Sequence, residues 1–219
     1  MIIHNHILVG SNIDYFWSKK NREPILSQDS IVIHNIDVGN AIATIHFLAC
    51  NNTKSSAHLF IDRKGKICQM VDFSTQSWHS FKSHILGETN VNAHSIGIEL
   101  QNVGLLRQFE GEYFSWRGRK IPDNEVVNLV NPQTGYHGYW QTYPDVQLQA
   151  LYEVVILLLK TYNFKRIVGH NEISLIGEID PGPAFPLDYF KKLIYTLDTP
   201  FTPPSTGGSF NPNSKTAQA

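Results

Sequence analysis

The stretch Val168 to Phe185, VGHNEISLIGEIDPGPAF, holds a histidine and a carboxylate ten residues apart, His170 and Asp180. Asp180-Pro181-Gly182-Pro183 is a turn sequence, because proline presets φ and glycine accepts positive φ. A histidine and an aspartate joined by such a turn are candidate ligands of one metal ion. His34, at the exit of the β-branched run Ser30-Ile31-Val32-Ile33-His34-Asn35, is a third candidate. Two histidines and a carboxylate leave one position on tetrahedral zinc open to water, the pattern of a catalytic rather than a structural site. Zinc lowers the pKa of such a water toward ~7, and a nearby carboxylate can then take its proton. Glu99 is the candidate base. In Ser95–Gln101, Ile96, Ile98 and Leu100 alternate with Gly97, Glu99 and Gln101, so Glu99 points away from the packed face.

Each residue also has a plainer reading. The chain has ten histidines, and a histidine taken singly is more often packed or solvated than ligating. Asp180 before Pro-Gly could serve only as a turn former. A glutamate in a strand can be solvated or salt-bridged. No HExxH or other compact zinc motif breaks the tie. On these residues alone the reading is a mononuclear zinc hydrolase, with a zinc that only holds the fold as its alternative.

The elements that must position these groups are read from hydrophobic period and turn residues. Residues 1–29 form an N-terminal extension, with loop around Ser18–Pro24. Ser30–Asn35 is a strand buried on both faces. Ala41–Cys50 reads as a helix. Ser56–Asp62 and Ile67–Val71 pair as a hairpin across Arg63-Lys64-Gly65-Lys66, with Gly65 where positive φ is easiest. Ser95–Gln101 is a further strand. Residues 103–141 form a long aromatic insertion carrying Tyr113, Trp116, Tyr136, His137 and Trp140, expected as an ordered loop walling a cleft. Thr142-Tyr143-Pro144-Asp145 suggests a capping box variant. Leu148, Leu151, Tyr152, Val155, Leu158, Leu159 and Tyr162 then recur at helical spacing. Arg166–Gly169 is a short strand delivering His170, and Leu187–Leu197 a closing helix. From residue 199 to 219 Pro, Thr, Ser, Gly and Asn dominate, a disordered tail by composition. The main folded unit is thus expected over 30–198.

Bulk properties narrow the class. At 219 residues the chain suits one sizeable core. A net charge of −1 and the lack of a dense basic run argue against nucleic-acid binding. Cys50 and Cys68 make no disulfide scaffold and no CxxC pair, and read as free thiols unless an oxidising compartment pairs them. The start MIIHNHILVGSNIDYFW is a poor signal sequence, and the longest apolar run, Val154–Leu159, is far short of a membrane span. A soluble monomer in the cytoplasm is favoured, with a periplasmic or extracellular location as the alternative.

A set of blocks falls in one order: IVIH to His34, SAH to His58 with its Asp-Arg-Lys-Gly turn, SWH to His79, NAHSIGIEL to Leu100, YPD to Asp145, VGH to His170, and DPGPAF from Asp180. Together they resemble the zinc-dependent N-acetylmuramoyl-L-alanine amidases, most closely the AmpD branch, related to phage amidases and peptidoglycan recognition proteins. The resemblance makes 30–198 an amidase domain and implies an α/β single domain, a mixed central β-sheet flanked by α-helices with a zinc-containing cleft. It makes His34, His170 and Asp180 the Zn2+ ligands and Glu99 the carboxylate that activates water. Trp78, His79 and Asn92 become substrate-binding candidates. The substrate it implies is peptidoglycan or a muropeptide, cut between N-acetylmuramic acid and L-alanine. Phage relatives place Tyr before the histidine of the second strand; Ala57 stands there, which leaves Glu99 as the base. Relatives also carry Lys two residues before the aspartate ligand, where this chain has Glu178. An ionised carboxylate cannot support an oxyanion, so a muropeptide-binding protein with weak or no activity is the alternative function.

Overall fold

The computed structural model describes residues 1–50 and 52–196. The expected disordered tail at 199–219 and the end of the expected closing helix at Leu197 lie outside the described residues. Strands β1 (Ile2–His4) and β2 (Ile7–Val9) make a hairpin, and β3 (Ile13–Tyr15) follows. Strand β4 (Ser30–Ile36) leads into helix α1 (Ala41–Ala49), where Asn40 Oδ1 accepts the Ala43 N–H as an N-cap. Strands β5 (Leu59–Ile61), β6 (Ile67–Gln69) and β7 (Ser95–Gln101) come next. Five strands then precede the longest helix: β8 (Leu105–Phe109), β9 (Glu112–Phe114), β10 (Lys120–Ile121), β11 (Val126–Val130) and β12 (His137–Gln141). Helix α2 (Asp145–Thr161), strand β13 (Arg166–Gly169), and helices α3 (His170–Ile173) and α4 (Leu187–Lys192) complete the described chain.

The central sheet has six strands in the order β13-β4-β7-β5-β6-β3. The β5–β6 pair is antiparallel and the other pairs are parallel, so the sheet is mixed as the resemblance implies. Period-two alternation sorts its side chains into two layers. Ile31, Ile33, Ile96, Ile98 and Leu100 pack with Leu148, Leu151, Val154, Val155 and Leu158 of α2. Each such fully buried aliphatic contributes on the order of 2 kcal/mol. On the other face Phe60, Cys68 and Met70 pack with Leu48 and Ala49 of α1. His34 and Glu99 share this second face, away from α2. The β4–β7 register pairs them directly.

The hairpin between β5 and β6 turns where the sequence places it. Gly65 has φ +79°, and a Cβ there would lie 2.7 Å from the Val146 carbonyl oxygen at the start of α2. A side chain is therefore excluded on two counts.

Several expectations are corrected. Residues 1–29, read as an extension, contain three strands, and β3 occupies one edge of the central sheet beside β6. The 103–141 insertion is not an irregular loop. It folds into a five-stranded antiparallel sheet in the order β10-β9-β8-β12-β11. Thr142 does not cap α2: Pro144 holds the N-cap position without a side-chain bond, and Thr142 Oγ1 donates to the Glu125 carbonyl. Proline lacks an N–H and presets φ, so it suits a helix start on its own. The closing helix ends at Lys192. Cys50 is exposed, Cys68 is buried, and both are free thiols.

Candidate metal centre and cleft

His34, His170 and Asp180 offer ligand atoms that all lie within 4.8 Å of one another. His34 sits near the end of β4, and His170 opens α3 directly after β13, the parallel neighbour of β4. The sheet thus delivers both imidazoles from adjacent strand ends. His170 Nδ1 lies 2.9 Å from Asp180 Oδ1, and His34 Nδ1 lies 3.3 Å from Asp180 Oδ2. The aspartate loop is pinned from several sides. The Asp180 carbonyl accepts the Asn171 N–H at 2.8 Å. The Pro181 carbonyl accepts Tyr143 O–H at 2.8 Å and Asn35 Nδ2–H at 3.1 Å. Gly182, at φ +77°, lies against the Trp140 ring, where a Cβ would come within 2.9 Å of Cζ3.

The hydrogen-bond network around His34 favours one tautomer. Ser95 has one hydroxyl proton, which goes to the Val91 carbonyl at 2.6 Å. Ser95 Oγ therefore accepts from His79 Nε2–H at 3.0 Å. A neutral His79 then carries a lone pair on Nδ1, which faces both Ser80 Oγ at 3.1 Å and His34 Nε2 at 3.0 Å, and a proton on His34 Nε2 avoids two opposed ring lone pairs. This leaves the His34 lone pair on Nδ1, the nitrogen facing Asp180. Burial holds both rings neutral: it pushes His34 down to about 4, with His170 adding to the effect, and His79 well below the usual range. An imidazole lone pair facing a carboxylate at this distance is repulsive unless a cation lies between them.

The other polar atoms point the same way. His170 Nε2 and Glu99 Oε2 are buried with no hydrogen-bond partner. Burial raises the Glu99 carboxyl well above its ordinary range, and the negative charge of Asp180 adds to this. Burial opposes ionisation of Asp180, and the side-chain hydrogen bond with His170 leads the contributions that hold the carboxyl below the ordinary carboxylate range. A donor set of two imidazoles and a carboxylate matches what zinc takes. The residues present fit a zinc ion on geometry and on proton bookkeeping alike.

The remaining expected site residues divide. Trp78 and Asn92 line a cavity of about 470 Å³ together with Lys54 and Phe81. Asn92 Oδ1 also accepts the N–H groups of His79 and Ser80, so it holds that loop in place. His79 is buried behind His34, its Nδ1 3.0 Å from His34 Nε2. Glu178 is exposed, and its backbone N–H donates to Ser174 Oγ at 3.3 Å. Ser95 and Gly97 were not singled out for a role by sequence. The signal available for Gly97 was a glycine in mid-strand, which marks a close approach. A larger cavity of about 900 Å³ runs from Asn35 and Asp180 along the inserted sheet.

Comparison with known proteins places the chain in a family. The family model described as N-acetylmuramoyl-L-alanine amidase, Amidase_2, matches residues 22–183, and the chain belongs to that family. Among individual relatives, 1,6-anhydro-N-acetylmuramyl-L-alanine amidase AmpD of Haemophilus influenzae is 29% identical over 140 residues, 64% of this chain and 59% of that protein. AmpD of Escherichia coli K12 is 29% identical over 150 residues, 68% of this chain and 63% of its own length. The chain thus spans about three-fifths of these curated relatives. Among solved structures, a selenomethionine AmpD derivative superposes with a TM-score of 0.63 at 22% identity, covering 89% of this chain and 99% of that one. AmiD from E. coli, in complex with anhydro-N-acetylmuramic acid-L-Ala-D-γ-Glu-L-Lys, gives 0.56 at 24% identity, covering 77% and 57%. At such identities the structural likeness speaks to the fold.

Proposed function

We propose that this protein hydrolyses the amide bond between the lactyl group of N-acetylmuramic acid and L-alanine, with zinc held by His34, His170 and Asp180. The observation that carries the reading is the convergence of those three side chains with Glu99 in register beside His34. The names of the AmpD and AmiD relatives support a soluble anhydro-muropeptide as the substrate. When bound, zinc supplies a Lewis acid and lowers the pKa of water toward ~7.

The chain's own residues supply the rest. Glu99 takes the proton of the attacking water and passes it to the nitrogen of the departing L-alanine, leaving a lactyl carboxylate and a free amine. Its buried, unpartnered Oε2 is available for that traffic. The Ser95–His79–His34 chain keeps the His34 Nδ1 lone pair directed at the centre. Asn35 and Tyr143 hold the Asp180–Pro181 loop against β4. Incubating the protein with an anhydro-muropeptide, with and without chelator, tests the reading. Release of free stem peptide that stops on chelation and returns with zinc is expected. No zinc-dependent release overturns it.

A further inference from the structure

Two of the three candidate metal ligands share one neighbour, Asn171. It follows His170 in the chain, and its backbone N–H donates to the Asp180 carbonyl at 2.8 Å. Asn171 is in turn held from the inserted sheet. Its Nδ2–H donates to Gln133 Oε1 at 2.7 Å, and its carbonyl accepts Gln133 Nε2–H at 3.3 Å. Reversing either amide would set like atoms against each other, so this orientation is the one that satisfies both contacts. Asn171 has little room to turn away, because its Oδ1 is buried and a Cβ on Gly169 would lie 2.3 Å from it. Helix α3 has only four residues, so its carbonyls lack the partners that a longer helix supplies, and Gln133 provides one.

Gln133 sits in the turn between β11 and β12, which is closed by bonds of its own. Gln133 N–H donates to Asn131 Oδ1 at 2.9 Å, Gly135 N–H to the Asn131 carbonyl at 2.8 Å, and Asn131 N–H to the Tyr136 carbonyl at 2.8 Å. Asn131 is buried. A second tie lies beyond the aspartate, where Gly182 meets the Trp140 ring of β12 and Trp140 Nε1–H donates to the Leu129 carbonyl of β11 at 3.3 Å. The β11–β12 pair therefore holds both His170's neighbour and the turn that follows Asp180. We infer that Gln133 is a positioning residue for the metal centre, through which the β11–β12 turn and metal occupancy are coupled. With Gln133 paired, Asn171 keeps His170 and Asp180 at one spacing. With the pairing open, that spacing is free to change. A metal ion that favours the paired state must stabilise the turn by the factor by which the turn raises the ion's affinity, since coupling between sites is reciprocal. The inference rests on the proposed assignment of His34, His170 and Asp180 as zinc ligands.

Gln133→Met keeps the length of the side chain and removes both hydrogen bonds to Asn171. Chelator competition on the full chain should show its zinc affinity about fivefold below that of the wild type, the lower end of typical coupling. A clamp that served only the fold would lower the denaturant midpoint and leave zinc affinity as it was. Amide exchange supplies the reverse measurement. In the wild type, zinc should slow exchange at Asn131, Gln133 and Gly135 by about the same factor, and in Gln133→Met it should not. Wild-type zinc affinity in Gln133→Met, or exchange at these amides that zinc leaves unaltered in the wild type, overturns the coupling. A wild-type protein that takes up no zinc refutes the ligand assignment and the coupling with it. Equal zinc uptake by wild type and variant refutes the coupling alone.

Discussion

Gly97 and His79 touch where no side-chain atom fits: a Cβ on Gly97 would lie 2.3 Å from His79 Cγ. Strand β7 therefore presents bare backbone to the ring that directs His34. Gly97→Ala must displace that ring, and overpacking of this kind costs about 1–3 kcal/mol. Zinc affinity should fall with it. Denaturant unfolding together with chelator competition reads both effects. A Gly97→Ala protein with wild-type stability and wild-type affinity would contradict the contact.

The proton count makes a more selective forecast. Ser95→Ala removes the acceptor of His79 Nε2–H while leaving every ring in place. Loss of an outer-shell partner typically costs about 10–100-fold in metal affinity or activity. A drop in zinc affinity toward that range is expected, accompanied by mixed tautomers of His34. Nitrogen-detected imidazole spectra of the zinc-free protein should show His34 protonated on Nε2 in the wild type. A wild-type His34 protonated on Nδ1 would refute the assignment.

Glu99 and the zinc ligands should separate cleanly under substitution. Glu99→Gln keeps the shape of a buried side chain but cannot accept a proton. Hydrolysis should fall by about 10²–10⁴, with zinc content near that of the wild type. Metal analysis beside a rate assay decides it, and retention of more than about a tenth of the rate would exclude Glu99 as the base.

Glu178 stands where the resemblance leads one to expect a lysine, and it is exposed. Glu178→Lys should leave the rate nearly unchanged, because the side chain at this position is turned to solvent, whereas restoring one oxyanion donor would yield about 10²–10³. A gain in that range would instead mark Glu178 as an impairment of the site.

Stability should fall as the medium is acidified from neutrality. His58 is buried, donates Nε2–H to the Thr75 carbonyl, and accepts from Gly97 N–H and Ser77 O–H at Nδ1. Burial pushes it down to about 4, against weaker upward contributions from Thr75 and Asp72. The folded state thus binds its proton less readily than the unfolded chain. The unfolded chain takes up the proton first as pH drops below about 6.5, so stability is lost between there and about 4, by up to roughly 3 kcal/mol for this one group. Denaturant midpoints at pH 7 and pH 5 measure the loss. A His58→Gln variant should show a shallower decline over the same window.

The convergence of His34, His170 and Asp180 was legible because it depends on residue types at strand exits. His34, Glu99, His170 and Asp180 all lie next to strong β signals or a proline-fixed turn, and the alternation of β7 already placed Glu99 opposite the core. The support behind the centre was not legible. His79 looks from sequence like a cleft residue, because nothing local says that Gly97 leaves room for its ring or that the Ser95 proton is taken by Val91. The inserted sheet escaped notice for a different reason. Its strands have two to five residues, and its ladders face solvent on many positions, so period-two alternation is weak. The strands before residue 16 are three residues each and broken by His and Asn. Such segments become strands through their partners more than through their own propensity.

One of those short strands has a consequence for the molecule in a crowded solution. Strand β3 covers the outer side of β6 with three residues, and its central Asp14 pairs with Lys66 at 3.0 Å. A brief, charged border of this kind offers little template for another chain to join. Without it, β6 would turn an open ladder of N–H and C=O groups toward its neighbours. Three residues and one ion pair thus close the ladder of β6 on that side of the sheet.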